Sequence, residues 1–146
     1  AADWRVRVAQ KYRLLTRQPL TQAVSFHLAK GKVSKMNINQ YLEANKKIKV
    51  LAGSYEMREL APRVECADGF VMSVQVSETH YCHPRVNDAP EYGSVEIGFP
   101  SEREELLMPF AEQEDKPTDT VYGYVPVSIV DEVIAKHGGF KSEIEN

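Results

Sequence analysis

The sequence has few cysteines and no long apolar runs, and both absences limit the class of protein that it can encode. Only Cys66 and Cys82 are cysteines among its 146 residues, so a disulfide-rich scaffold is excluded and a hydrophobic core must hold the fold together. No window approaches the ~20 consecutive apolar residues that a membrane-spanning helix requires. No charged leader followed by an apolar stretch opens the sequence. We therefore expect a soluble, intracellular protein with no membrane partner.

The sequence also lacks the motifs of several large enzyme classes. It contains no Gly-x-x-x-x-Gly-Lys phosphate loop, no glycine pattern of a dinucleotide-binding fold and no serine nucleophile elbow. We therefore expect no organic cofactor, and a zinc site is the one alternative that the residues suggest.

Acidic residues are scarce before Val50, and basic residues are scarce after it. The first fifty residues contain 11 basic and 2 acidic side chains, against 7 and 19 in the remainder, which gives net charges of +9 and −12. Seven of the eight prolines also lie beyond Val50. This composition predicts a basic segment at residues 1–50 and a folded domain at residues 51–146.

Apolar residues in the basic segment recur every three or four positions, which is typical of helices. Two helices are predicted over residues 4–18 and 21–29, although the alternation over residues 4–8 would also suit a short strand. A third helix is expected to start at Ser34 or Asn37. Its apolar face would contain Ile38, Tyr41 and Leu42, and the tail of the helix would contain Lys46, Lys47 and Lys49.

Residues 20–42 bear a weak similarity to a helix-turn-helix, with Gly31 in the turn and residues 33–42 as the recognition helix. The alternative interpretation is a solvated cationic helix or a disordered tail. If the segment binds DNA, the side chains expected to contact bases or phosphates are Lys35, Asn37, Asn39, Gln40, Lys46 and Lys47.

After Val50, apolar residues alternate with polar ones, which is typical of strands. The alternation runs through residues 64–66 and 70–76 on either side of Asp68-Gly69, a dipeptide suited to a tight hairpin. Residues 94–99 and 120–125 are further predicted strands.

A C-terminal helix is predicted after these strands. An N-terminal capping pattern is formed by Ser128 and Asp131. The helix would have an apolar stripe of Ile129, Val130, Val133 and Ile134 and would end at Gly138-Gly139. The expected fold is therefore α+β, with a small antiparallel β-sheet, a C-terminal helix packed on it and a basic helical segment before it.

Two stretches, residues 78–92 and 109–119, fit neither pattern and are expected to be functional or mobile loops. In the first loop, His80, Cys82 and His83, with Cys66 across the predicted hairpin, supply two imidazoles and two thiols, the ligand set that zinc prefers. Only one residue separates His80 from Cys82, which is unlike most zinc sites, and Cys66 could instead be an ordinary core residue. A cysteine beside histidines could also be an activated nucleophile.

Carboxylates are abundant in and before the second loop. A solvated surface is the simplest interpretation, because many like charges in one environment do not suit acid–base catalysis. The alternative is an acidic face that imitates nucleic-acid phosphates and occupies a basic cleft on another protein. The residues of this predicted acidic face are Glu102, Glu104, Glu105, Glu112, Glu114 and Asp115.

Seven segments between residues 55 and 139 resemble a known protein family. They are residues 55–63, 67–70, 72–75, 81–82, 95–101, 121–126 and 136–139. Through them, residues 55–139 resemble a family of small proteins of unknown function encoded by tailed bacteriophages and prophages. The resemblance covers about 85 of the 146 residues. It implies a bacterial host cell and an accessory role such as host takeover or defence evasion, and it carries no catalytic role.

We therefore expect a non-enzymatic binding protein that acts on a host or phage macromolecule in the cytoplasm of the bacterial host. DNA binding through residues 1–50 is one alternative. A metal- or thiol-dependent enzyme centred on His80, Cys82 and His83 is the other.

Overall fold

The computed structural model describes residues 36–144, so Lys35 and the helices predicted over residues 4–18 and 21–29 lie outside the described range. Three α-helices are present in that range, α1 (Ile38–Ala44), α2 (Val127–Lys136) and α3 (Lys141–Ile144). A hairpin of β1 (Ile48–Val50) and β2 (Glu56–Arg58) follows α1 and forms a separate two-stranded antiparallel sheet. No helix in residues 36–144 is both long enough and apolar enough to cross a membrane.

The larger sheet has four strands in sequence order, each antiparallel to the next. The strands are β3 (Val64–Glu65), β4 (Val71–Gln75), β5 (Ser94–Gly98) and β6 (Val121–Pro126). The four predicted strand segments therefore form strands, and the α+β fold is confirmed.

One hydrophobic core joins the four-stranded sheet to helix α2. The apolar stripe of α2 was predicted from its periodicity, and Val130, Val133 and Ile134 are buried as expected. The sheet residues that share this core are Val64, Met72, Val74, Val95, Ile97, Tyr122 and Val125. Burial of these side chains provides most of the driving force for folding.

Helix α1 begins directly after Asn37, one of the two predicted start residues. The Asn37 side chain accepts a hydrogen bond from the Gln40 N–H, and the Gln40 side chain accepts one from the Asn37 N–H, both at 2.9 Å. Ile38 and Leu42 of this helix are buried in the same core as the sheet, so the core includes residues before Val50.

The predicted lysine tail of this helix is wrong. Helix α1 ends at Ala44, whose successor Asn45 donates its side-chain amide to the Tyr41 carbonyl at 2.9 Å. Lys46 and Lys47 follow the helix, and Lys49 lies in strand β1.

The Asp68-Gly69 turn joins β3 to β4 as predicted. Gly69 has φ +97°, a value that glycine adopts without strain, and Asp68 Oδ1 accepts the Phe70 N–H at 2.9 Å. Cys66 follows β3 and is completely buried, as its alternation with Val64 predicted.

The predicted capping of helix α2 is wrong, although the helix itself is present. Ser128 lies inside the helix, which begins at Val127 after Pro126 and has no side-chain cap. Asp131 Oδ1 instead accepts the Ile38 N–H at 2.8 Å and so joins α2 to the first turn of α1. The helix ends before Gly138 and Gly139, whose φ angles of +91° and +89° confirm the predicted stop.

Candidate functional site

Large exposed apolar side chains are concentrated around the β1–β2 hairpin. Of the seven found in residues 36–144, six lie in or beside this hairpin, with exposed fractions from 39% to 71%, and only Phe99 lies elsewhere. We call the six the hairpin surface; they are Val50, Leu51, Tyr55, Met57, Leu60 and Val86.

The register of the hairpin places several of these side chains on one outward face. Met57 lies opposite Lys49, and the Leu51 N–H donates to the Tyr55 carbonyl at 2.7 Å. Because side chains alternate along a strand, Lys49, Leu51, Tyr55 and Met57 share that face. Arg58 occupies the opposite face and is 7% exposed.

Arg58 anchors the hairpin to the rest of the fold. Its guanidinium donates to the Asn87 carbonyl and to the Leu42 carbonyl, both at 2.9 Å, and lies 5.9 Å from the centre of the Tyr92 ring. The Asn87 side chain in turn donates to the Glu56 carbonyl at 3.1 Å. These contacts hold the inner face of the hairpin against α1 and against residues 86–92, so the outward face is presented on a fixed support.

The predicted nucleic-acid contacts are mostly occupied by bonds within the protein. Asn37 and Gln40 form the capping box of α1, and Asn39 donates to the Tyr92 carbonyl at 3.0 Å and accepts the Tyr92 N–H at 2.8 Å. Lys46 forms ion pairs with Glu43 and Asp88. These four side chains are therefore engaged within the fold, whereas Lys47 has no ion pair with any described residue.

The predicted zinc ligands do not form a metal site within residues 36–144, where no group of three or more His, Cys, Asp or Glu side chains is arranged to hold an ion. Cys82 is buried, and its Sγ lies 3.3 Å from the Ser77 carbonyl. His80 Nδ1 contacts Ser77 Oγ, whereas the His83 side chain is exposed. The zinc hypothesis therefore has no support from the described residues.

Neither thiol is activated. Burial, with a smaller contribution from Asp68, raises the pKa of Cys66 to about 12. Burial also raises the pKa of Cys82, although the Ser77 hydrogen bond opposes it. A nucleophilic cysteine requires the opposite shift, toward the thiolate. Burial likewise lowers the pKa of His80, so its neutral form is favoured.

A second group of surface side chains, formed by Tyr81, Arg85 and Tyr124, lies where the pairing of β5 and β6 becomes irregular. The register shifts between Val95 and Ile97, and Tyr124 on β6 has φ +54°, which is rare for an aromatic residue. The Tyr124 N–H donates to the Tyr81 carbonyl at 2.9 Å, and the two rings lie 5.8 Å apart. Arg85 lies over the Tyr81 ring at 5.3 Å. The bulge thus fixes the loop that contains His80 and Cys82 against the sheet.

Glu104 does not belong to the predicted acidic face, because its side chain is only 1% exposed. Its carboxylate lies 2.9 Å from Lys136 Nζ and 2.8 Å from His137 Nε2. Burial alone would raise its pKa, but the hydrogen bonds from the Leu106 N–H, Lys136 and His137 outweigh burial, and the pKa of Glu104 lies below its usual value. Sequence reasoning missed this buried ion-pair cluster.

The other members of the predicted acidic face are at or near the surface. Glu105 pairs with Arg103, and Glu112 is half-buried. Glu102, Glu114 and Asp115 are exposed. An open cavity of about 620 Å³ lies between Glu105, Glu114 and Asp115.

No model of a known protein family matches this chain, and no curated protein or solved structure is significantly similar to it. The similarity to a bacteriophage family therefore stays a prediction from the sequence.

Proposed function

We propose that this protein is a non-enzymatic binding protein and that the hairpin surface is its contact surface for a partner protein. The observation that supports this proposal is the concentration around one hairpin of six of the seven exposed large apolar side chains in residues 36–144. Extended apolar patches are uncommon on soluble monomers and often mark interaction sites. Tyrosine and methionine, present here as Tyr55 and Met57, are also enriched in the centres of protein interfaces.

The proposed setting follows from the resemblance to phage proteins. The partner would be a host or phage protein in the cytoplasm of a bacterial cell, and the binding would serve an accessory role in infection. The alternatives, DNA binding and catalysis, have weaker support: the amides of Asn37, Asn39 and Gln40 are occupied within the fold, and the raised pKa of Cys82 disfavours a thiolate.

The proposal is tested with one hairpin variant and one matched control. Met57→Asp/Leu60→Asp introduces two charges into the hairpin surface at side chains that are 40% and 71% exposed, so the fold should tolerate both. Phe99→Asp introduces a charge at the one large apolar residue that is exposed outside the hairpin surface in the described part of the chain. Each full-length protein is immobilised and exposed to a bacterial extract, and proteins that it retains are identified and purified.

We expect a partner that binds the wild type and Phe99→Asp with equal affinity, and the hairpin variant at least about tenfold more weakly by titration calorimetry. Circular dichroism checks that both variants are folded. Equal binding by all three proteins, or equal loss in both variants, would refute the proposed contact surface.

A further inference from the structure

The two edges of the hairpin sheet differ in how their backbone groups are occupied. On the β2 side, the Glu56 carbonyl accepts a hydrogen bond from the Asn87 side chain at 3.1 Å, and Arg58 reaches the Asn87 carbonyl. On the β1 side, no strand within residues 36–144 pairs with the outer edge. The β2 edge is therefore covered, and the β1 edge is left open by residues 36–144.

The hydrogen bonds between β1 and β2 show which backbone groups of β1 are directed away from β2. The Glu59 N–H donates to the Lys47 carbonyl at 2.9 Å and the Leu51 N–H to the Tyr55 carbonyl at 2.7 Å, so Lys47 and Leu51 direct their backbone groups toward β2. These groups alternate in direction along an antiparallel strand. Ile48 and Val50 therefore direct their N–H and C=O groups away from the hairpin, where another strand could pair with them.

Two lysines lie beside this open edge. Lys47 and Lys49 are both exposed, are two positions apart and therefore lie on the same face of β1. Neither forms an ion pair within the described part of the chain, whereas Lys46, Lys136 and Lys141 each pair with a carboxylate. Lysines protect many edge strands from unwanted pairing. Here, however, Val50 and Leu51 are exposed beside them, which leaves an apolar contact available to a partner.

A second copy of the same hairpin is a poor occupant of this edge. The symmetric antiparallel register that engages both Ile48 and Val50 of each copy would place Lys49 directly opposite the same lysine of the other copy. Like charges at directly opposed positions destabilise a strand pair. A strand with carboxylates opposite Lys47 and Lys49, and apolar residues between them, would be favoured instead.

We infer that β1 binds an extended acidic segment of a partner protein, which adds to the hairpin sheet as a third strand. This inference rests on the proposed function of the hairpin surface and specifies the chemistry of its partner. Backbone hydrogen bonds to Ile48 and Val50 would supply affinity, and the two lysines would select acidic side chains at alternating positions. Val50 lies on the opposite face of β1 from the two lysines, so its exposed side chain would contact the apolar positions of the added strand.

The test uses full-length protein and a fluorescein-labelled peptide of alternating glutamate and valine, with binding followed by fluorescence anisotropy. Matched peptides carry lysine in place of glutamate, or methyl groups on the valine backbone nitrogens. The protein variants are Val50→Pro, which removes one outward N–H at an edge position that tolerates proline, and Lys49→Glu. Lys116→Glu is the control, because Lys116 is an exposed lysine outside the hairpin.

We expect the glutamate peptide to bind the wild type and Lys116→Glu equally. Val50→Pro and the methylated peptide should each weaken binding about threefold to tenfold, which corresponds to the loss of a hydrogen bond. Lys49→Glu and added salt should weaken it as well. Amide hydrogen exchange at Ile48 and Val50 should slow when the peptide is bound.

Binding that is unaffected by both Val50→Pro and backbone methylation would overturn the inference, as would equal binding of the lysine peptide or failure of the glutamate peptide to bind. Tighter binding of an oligonucleotide or of anionic lipid vesicles than of the glutamate peptide would also overturn it, because neither offers strand backbone groups. The proposed function is tested separately: a partner lost by Met57→Asp/Leu60→Asp but unaffected by Val50→Pro would leave the contact surface valid and remove strand addition.

Discussion

Nε2 of His137 lies 2.8 Å from Oε1 of Glu104, and both side chains are almost completely shielded from solvent. The other ring nitrogen, Nδ1, lies 2.6 Å from Oδ2 of Asp68. A ring with a proton on each nitrogen can donate to both carboxylates, whereas a neutral ring can donate to only one. The Phe70 ring stacks on the imidazole at 4.1 Å. His137 therefore joins the end of helix α2 to the β3–β4 turn and to the loop that contains Glu104.

Replacement of Glu104 should destabilise the fold. Glu104→Gln removes the negative charge that faces Lys136 and His137 while it keeps the size of the side chain. Glu104 is buried but its partner Lys136 is half-exposed, so we expect the smaller cost of losing charge-assisted hydrogen bonds, about 2 kcal/mol in the free energy of unfolding measured with urea. Glu105→Gln, at the exposed neighbouring position, is the control and should leave the unfolding midpoint unchanged. Equal midpoints for both variants would contradict the assigned role of Glu104.

The same cluster predicts that the protein loses stability in acid. Hydrogen bonds from the Leu106 N–H, Lys136 and His137 hold the pKa of Glu104 below its ordinary value of 4.5 despite burial, and the pKa of Asp68 is also lowered. A carboxyl group with a lowered folded-state pKa stabilises the fold fully above its unfolded pKa, and this stabilisation is lost as the pH falls through the folded value.

Urea unfolding between about pH 6 and about pH 3 should therefore show a steep loss of stability over the lower part of that range. Glu104→Gln, which cannot titrate at this position, should show a shallower loss over the same range. An identical pH dependence for the wild type and the variant would show that other carboxyl groups control the acid transition.

The parts of the fold that were predicted correctly have strong local signals. The β3–β4 hairpin is specified by Asp68-Gly69 between alternating apolar residues, and the end of α2 by Gly138-Gly139. The β1–β2 hairpin has no comparable signal, since each strand has three residues and they are joined by a 3₁₀ turn with positive φ at Gly53 and Ser54. Its position depends on contacts of Arg58 with residues distant in sequence.

The candidate site was harder to predict for a similar reason. Glu104 lies in a run of carboxylates that is typical of a solvated surface, and its partners are 32 and 33 residues away in sequence. Asn39 has a residue type that suits base recognition, yet its amide bonds to the backbone of Tyr92, 53 residues away. The residue types suggested that Glu104 and Asn39 contact a ligand, whereas both side chains bond to other parts of the fold.

Both cysteines should react slowly with thiol reagents in the native protein. Cys66 and Cys82 are buried, and the pKa of each thiol is raised, to about 12 for Cys66. At neutral pH both are therefore protonated and shielded from solvent. Treatment with Ellman's reagent should release little chromophore from the folded protein and two equivalents per chain after unfolding in urea. Rapid native reaction of one equivalent would show an accessible thiol and would revive the cysteine-nucleophile hypothesis.

Arg58 should determine whether the hairpin surface is held in place. Arg58→Lys keeps the positive charge but cannot donate to the Leu42 and Asn87 carbonyls in the same forked geometry. Hydrogen bonds from a charged donor contribute about 1.5–3 kcal/mol each, so we expect roughly 2 kcal/mol less stability by urea unfolding.

We also expect faster amide exchange in β1 and β2 of this variant, with little change in β5 and β6. Arg58 joins the hairpin to α1 and to residues 86–92, and it does not contact the four-stranded sheet. Arg63→Lys is the matched control. Arg63 donates to the Phe99 carbonyl from an exposed position, so its replacement should leave exchange in the hairpin unchanged. Equal exchange rates in Arg58→Lys and the wild type would mean that the hydrogen bonds between β1 and β2 hold the hairpin in place without the contacts of Arg58.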